Sequence, residues 1–185
     1  MKQLAAEHWE ADVDRLLACL NPWLNRQWQT QLVAGVDEPI YLPATDDEPL
    51  HRIVFAHGYF NSVLHELAHW CVAGTERRLL EDYGYWYCPD GRNAQQQAAF
   101  EQVEVKPQAL EWWFALACGR RFRTSRDNLG GEATDSRPFR EAVQRQAQQY
   151  WQQHLPARAQ QVVQLLTHNF SQPWPTAAAF DEAPA

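Results

Sequence analysis

The residues best suited to chemistry are His65, Glu66 and His69, which form an HExxH motif. Residues four apart on an α-helix lie about 40° apart in projection and about 6 Å apart along the axis, so both imidazoles can reach one metal ion. Glu66 points to the neighbouring side of the helix, where its carboxylate can touch a metal-bound water without binding the ion. The motif therefore predicts a metal site with Glu66 as its acid or base.

Two histidines leave a metal site incomplete, and a downstream carboxylate is the expected third ligand. Glu101 and Glu104 are three residues apart, so they share one face if this segment is helical. One of them could bind the ion while the other orients a histidine. Both could instead be solvated surface carboxylates, and the spacing alone does not choose between the two residues.

Further polar and aromatic residues lie close to the motif in sequence. His57 precedes it, and Tyr85, Tyr87 and Asp90 follow it, so each is a candidate for the rim of a pocket. An isolated histidine is more often a hydrogen-bonded structural residue, and aromatic packing explains the two tyrosines equally well.

Two different chemistries are compatible with an HExxH motif and a downstream glutamate. A zinc ion could polarise a peptide carbonyl while Glu66 takes a proton from the attacking water, which describes a small metallopeptidase. The same ligands could hold non-haem iron with open positions for dioxygen, which describes a hydroxylase. The motif does not decide between zinc and iron.

The motif must lie on a helix, and its neighbours predict one. Apolar residues flank it at positions 63, 64, 67, 68 and 72, so the helix is at least partly buried. Asn61 or Ser62 is the expected N-cap, and Gly74 is the expected end. A second short helix is predicted after a Thr75 cap.

The rest of the chain predicts an α+β fold. Short β-prone runs at 31–36, 39–43 and 51–56 predict a small sheet or meander, mixed or antiparallel. Helices are expected around it, at 2–20, 95–118, 139–153 and 156–168, with a surface loop at 120–138. Pro107 must kink the second of these segments or begin a new helix. We expect a single domain over 1–170 and a Pro- and Ala-rich tail over 171–185.

Composition excludes several classes of protein. The chain has 185 residues and a formal net charge of −7, which argues against a nucleic-acid partner. Its apolar runs are far shorter than the stretch of about 20 residues that crosses a bilayer. Acidic residues interrupt the N-terminal segment before any apolar signal region, so we expect a cytoplasmic location. Four cysteines without CxxC spacing are expected to be buried thiols.

Several unusual strings occur in one order along the chain. They are DEPIYLP at 37–43, RIVFAHG at 52–58, HELAHWC at 65–71, GYWYCPDGR at 84–92 and FEQVEVKPQAL at 100–110. In order and approximate spacing they resemble the bacterial elongation factor P hydroxylase family, over about residues 31–130. Together they are far more specific than the HExxH motif.

The resemblance implies a cytoplasmic enzyme that hydroxylates a lysine of elongation factor P after that lysine has received a β-lysyl group. By the family's pattern, His65, His69 and Glu104 would hold a non-haem iron, with Glu66 near it and Glu101 as the alternative third ligand. No jelly-roll 2-oxoglutarate oxygenase pattern is present, so the electron source stays open. A zinc peptidase and a non-catalytic, metal-stabilised binding module remain the alternatives.

Overall fold

The computed structural model describes residues 12–83, 91–128, 130 and 135–185. These residues contain five α-helices and one three-stranded sheet, which confirms the predicted α+β class. The chain divides into two compact units, Met1–Gly84 and Tyr85–Ala185. None of the described helices is both long and apolar enough to cross a membrane.

The first unit contains the sheet and two helices: α1 (Val13–Trp28), β1 (Thr30–Gly35), β2 (Ile40–Leu42), β3 (His51–Ala56) and α2 (Phe60–Val72). The strand order is β1-β3-β2, with β1 parallel and β2 antiparallel to β3. The sheet is therefore mixed. This confirms the prediction of a mixed sheet, whereas the alternatives of an antiparallel sheet and a meander are wrong. Pro39 and Pro43 flank β2, and proline lacks the donor that a central strand needs, so β2 suits the edge position.

Helix α1 is joined to β1 through a polar side chain. The amide of Asn21 accepts a hydrogen bond from Leu32 N at 2.7 Å and donates one to Leu32 O at 3.2 Å. The helix extends to Trp28 and includes Pro22, so the predicted end at residue 20 is wrong. The predicted start at residue 2 lies outside the described residues.

Helix α2 carries the HExxH motif as predicted but begins earlier than its expected cap. Tyr59 is the N-cap and makes no side-chain capping bond, so the prediction of Asn61 or Ser62 is wrong. Ser62 Oγ instead accepts a hydrogen bond from Ala56 N at 2.9 Å, which joins the first turn of α2 to the end of β3. The Thr75 cap is also wrong, since a short 3-10 helix, Arg77–Leu79, begins after Glu76.

The second unit is helical, with α3 (Ala94–Ala117), α4 (Arg137–Gln153) and α5 (Ala157–Phe170). Helix α3 begins with a capping box in which Asn93 and Gln96 exchange side-chain to backbone bonds. It runs continuously through Pro107, so no second helix begins there. The ends of the two C-terminal helices lie within about two residues of the predicted ones, which is the usual uncertainty of helix boundaries.

The segment after Ser171, predicted as a tail, is packed against α3. It forms a 3-10 helix, Ala177–Phe180, and the Phe180 side chain is fully buried. The Phe180 ring lies 5.0 Å from Trp112 and 4.7 Å from Trp113 between centroids. Composition indicated a loose end, but aromatic packing and hydrogen bonds hold the segment in place, including the bonds from Gln144 Nε2 and Gln148 Nε2 to Phe180 O. The domain bounds 1–170 and 171–185 stay a prediction.

The cysteines are partly as expected. Cys71 and Cys118 are buried, whereas Cys19 is only partly buried. Cys88 lies outside the described residues.

Candidate metal centre

A tight turn connects β3 to the motif helix. His57 and Gly58 both have left-handed φ values, 51° and 67°, and Tyr59 N donates to Ala56 O at 3.2 Å. Two successive left-handed residues are typical of type I′ turns. His57 N also donates to Gly35 O at 3.1 Å, which extends the β1–β3 ladder by one bond. His57 thus has a structural role in orienting α2.

One face of α2 is buried and fixes the rotation of the helix. The seven buried residues are Phe60, Val63, Leu64, Leu67, Ala68, Trp70 and Cys71. The Trp70 ring packs edge-on against Trp23 and Trp28, at centroid distances of 6.0 and 5.5 Å. With this face held in the core, His65 and His69 project from the other side and stay partly exposed.

The two histidines converge on one point. Their Nε2 atoms are 2.9 Å apart, and their ring centroids are 4.6 Å apart at an interplanar angle of 72°. Metal–nitrogen bonds of about 2.0–2.1 Å place two nitrogen ligands roughly 3 Å apart, so this spacing matches a shared ion. The pair can therefore supply two ligands, as the sequence predicts.

A small cleft opens beside His69 in the first unit. Its lining residues are Tyr41, Ile53, Glu66, His69, Trp70, Ala73, Arg77, Arg78 and Asp82. Glu66 and His69 both line this cleft. A substrate group in the cleft would lie next to both.

His51 lies near this cleft as a neutral hydrogen-bond acceptor. Its Nδ1 accepts from Ala44 N at 3.0 Å, and its ring stacks on Tyr41 at 5.9 Å. Burial lowers the pKa of His51 below its usual value, and the positive charge of Arg78 lowers it further. Sequence reasoning missed this residue because nothing in its spacing relates it to the motif.

In the second unit, Glu101 belongs to a charged network. Its Oε1 accepts from Arg126 Nε at 2.8 Å and from Gln97 Nε2 at 3.1 Å. Gln97 Oε1 in turn accepts from the buried Arg92, whose guanidinium also bonds the backbone carbonyls of Arg126 and Asp127. Glu101 therefore neutralises Arg126, and this ion pair joins the loop after α3 to that helix.

Glu104 is almost fully buried, with 1% of its surface exposed. Its Oε2 accepts from Gln108 Nε2 at 2.9 Å. The Gln108 amide also pairs with the backbone of Ser125, donating to its carbonyl at 2.6 Å and accepting from its N–H at 3.0 Å. A fixed neutral amide therefore orients the Glu104 carboxylate.

The remaining candidates divide into two groups. Tyr85, Tyr87 and Asp90 lie outside the described residues, so their roles stay predictions. Gln97 and Gln108 were missed by sequence reasoning, although each is four residues from a candidate glutamate and so shares its helix face.

Comparison with known proteins agrees with the sequence resemblance. Residues 19–180 match the family described as Elongation factor P hydroxylase. The chain is 49% identical over 162 residues to a Haemophilus influenzae protein named Elongation factor P lysine hydroxylase. That alignment covers 88% of this chain and 91% of the relative. This chain belongs to the elongation factor P hydroxylase family.

Proposed function

We propose that this protein hydroxylates the β-lysylated lysine side chain of elongation factor P, using a non-haem iron held by His65, His69 and Glu104. The observation that carries the proposal is the convergence of two imidazole nitrogens, 2.9 Å apart, on the HExxH helix of a chain from this family. A translation factor as substrate also implies a cytoplasmic enzyme.

The donor set fits iron. Two neutral imidazoles and one carboxylate are the ligands of non-haem iron oxygenases, and they leave positions open for dioxygen and substrate. When bound, iron would activate dioxygen for insertion into a C–H bond. One oxygen atom enters the product, and the other leaves as water with two electrons and two protons from a reductant.

Glu104 is the better candidate than Glu101 for the third ligand. Glu101 is engaged by the Arg126 guanidinium, so metal binding there would cost an ion pair. Glu104 is oriented by a neutral amide, which positions a carboxylate without cancelling its charge. A bound metal cation would stabilise such a buried carboxylate further, since burial of a negative charge is costly.

Glu66 is proposed to act at the substrate end of the site. Glu66 lines the cleft together with His69. From there its carboxylate can accept a hydrogen bond from an amine of the modified lysine. It can also accept one from a water molecule beside the metal. Either action would place Glu66 in contact with the reacting groups rather than among the metal ligands.

The test is an intact-mass measurement of β-lysylated elongation factor P incubated with this protein, ferrous iron, a reductant and air. We expect the substrate to gain one oxygen atom, and we expect no gain with His65→Ala. A shortened substrate would indicate a zinc peptidase instead. An unchanged mass across a panel of reductants, with iron bound to the protein, would contradict the hydroxylase.

A further inference from the structure

An exposed apolar surface lies on the segment that follows the metal helix. The described residues contain eight exposed large apolar side chains, and three of them occur within five positions: Leu79, Leu80 and Tyr83. Leu79 is 61% exposed, Leu80 63% and Tyr83 54%. We call these three residues the apolar rim. Single exposed apolar residues need no explanation, but a cluster of them marks an interaction surface.

The backbone beneath the apolar rim is held in place. Asp82 forms an isolated bridge with Tyr41, in which their backbone groups exchange bonds of 2.8 and 3.0 Å. The Tyr41 hydroxyl donates to Arg78 O at 3.0 Å, and the Arg77 guanidinium pairs with the Asp82 carboxylate. Because the segment is fixed to the edge of the sheet, the leucines are presented outward on an ordered support.

The same segment also walls the cleft. Arg77, Arg78 and Asp82 line the cleft that contains Glu66 and His69, while the residues of the apolar rim adjoin them in sequence and face solvent. A group that enters the cleft from a larger molecule must bring the surface of that molecule to this segment. The apolar rim therefore lies on the same chain segment as one wall of the candidate site.

We infer that the apolar rim is the docking surface for the folded protein substrate, and that it contacts the substrate's surface beside the modified lysine. This inference rests on the proposed function, because only a macromolecular substrate extends beyond the cleft. Large apolar side chains on a rigid support lose little entropy on binding, which suits them to the centre of such a contact.

The test compares the wild type with the double variant Leu79→Ser/Leu80→Ser. Both leucines are exposed, so folding should be unaffected, and Leu80→Ser alone serves if the double variant is unstable. We expect the Kd for β-lysylated elongation factor P, measured by titration calorimetry, to rise about tenfold or more. In turnover assays KM should rise similarly while kcat at saturation is retained.

The matched control removes exposed apolar surface elsewhere, with Val36→Ser/Trp151→Ser, and should leave the Kd within about twofold of the wild type. An unchanged Kd in the leucine variant would overturn the inference. So would a wild-type dimer that the leucine variant converts to monomer, since a second copy would then occupy the rim. If the rim binds the substrate but no oxygen is added, the proposed function fails and the docking surface stands.

Discussion

Two neighbouring turns of α3 hold two similar glutamates in different surroundings. Near the start, Glu101 is paired with Arg126 and hydrogen-bonded by Gln97. One turn later, Glu104 is more deeply buried and is hydrogen-bonded by the neutral Gln108. Both carboxylates have a glutamine four residues away, and Glu101 in addition balances the charge of an arginine.

Under the proposed assignment, this difference separates a structural carboxylate from a metal ligand. An arginine partner satisfies a carboxylate both as an acceptor and as a charge, so Glu101 stabilises the loop after α3. An amide partner fixes direction while the charge is kept, which is what a metal ligand requires. On this basis the two residues should respond differently to the same substitution.

The largest expected effect comes from replacing each glutamate by its amide. Glu104→Gln removes the ligand charge and should lower hydroxylation of elongation factor P about 100-fold or more. Glu101→Gln should retain most of the turnover, because it changes the loop network and not the ligand set. Rates are compared by intact mass at saturating iron. A greater loss in Glu101→Gln would reverse the assignment.

The second-largest expected effect comes from replacing Gln108, whose amide orients Glu104. Gln108→Met removes its hydrogen bonds at similar volume and should weaken metal affinity roughly 10- to 100-fold. Gln97→Met is the matched control, since it removes the corresponding amide from Glu101 and should leave the affinity unchanged. Competition with a coloured chelator measures both. Equal affinities in the two variants would show that Gln108 has only a structural role.

The charged network should matter for stability rather than for metal binding. Arg126→Met leaves the Glu101 carboxylate without its ion pair and should lower the free energy of unfolding by about 1–3 kcal/mol. Arg145→Met is the control, because Arg145 and Glu141 form an exposed pair at 3.8 Å, worth at most about 0.5 kcal/mol. Urea unfolding of the metal-free proteins gives both values. Equal losses would remove the structural role of Glu101.

The smallest expected effect is on the pH dependence of stability, and it comes from His51, a base that lies near Arg78. Burial and Arg78 lower the pKa of His51, so the unfolded chain binds the proton more readily than the folded one. Stability should therefore fall as pH drops below about 6.5, the usual histidine value, and level off once the folded-state pKa is passed.

The control for this pH effect is a histidine elsewhere. His51→Asn keeps an acceptor for Ala44 N and should flatten the pH dependence of the melting temperature. His154→Asn, at an exposed position with left-handed backbone, should leave the profile unchanged. Parallel profiles for the wild type and His51→Asn would contradict the assignment.

Local patterns predicted much of this molecule. The strands were predictable because the short β-prone runs are separated by clusters of Asp, Glu and Pro. The motif helix was predictable because apolar residues recur at helical spacing around His65 and His69. The cap of that helix was not, because Ser62 bonds the preceding strand instead of its own helix.

Features that depend on partners far away in the sequence could not be predicted from local patterns. Glu101 and Glu104 look alike in the local sequence, and they differ in their distant partners. Glu101 pairs with Arg126, 25 residues later. The amide that bonds Glu104 is held by Ser125, which lies 17 residues after Gln108. Phe180 likewise lies in a segment whose composition indicates a tail, and only the aromatic partners on α3 reveal its anchoring role.

The most direct test of the central claim is anaerobic titration of ferrous iron into the wild type, Glu101→Gln and Glu104→Gln. We predict one tightly bound ion per chain in the wild type and in Glu101→Gln, and binding weakened about 100-fold or more in Glu104→Gln. Wild-type affinity in Glu104→Gln would contradict a ligand set made of two histidines and this glutamate.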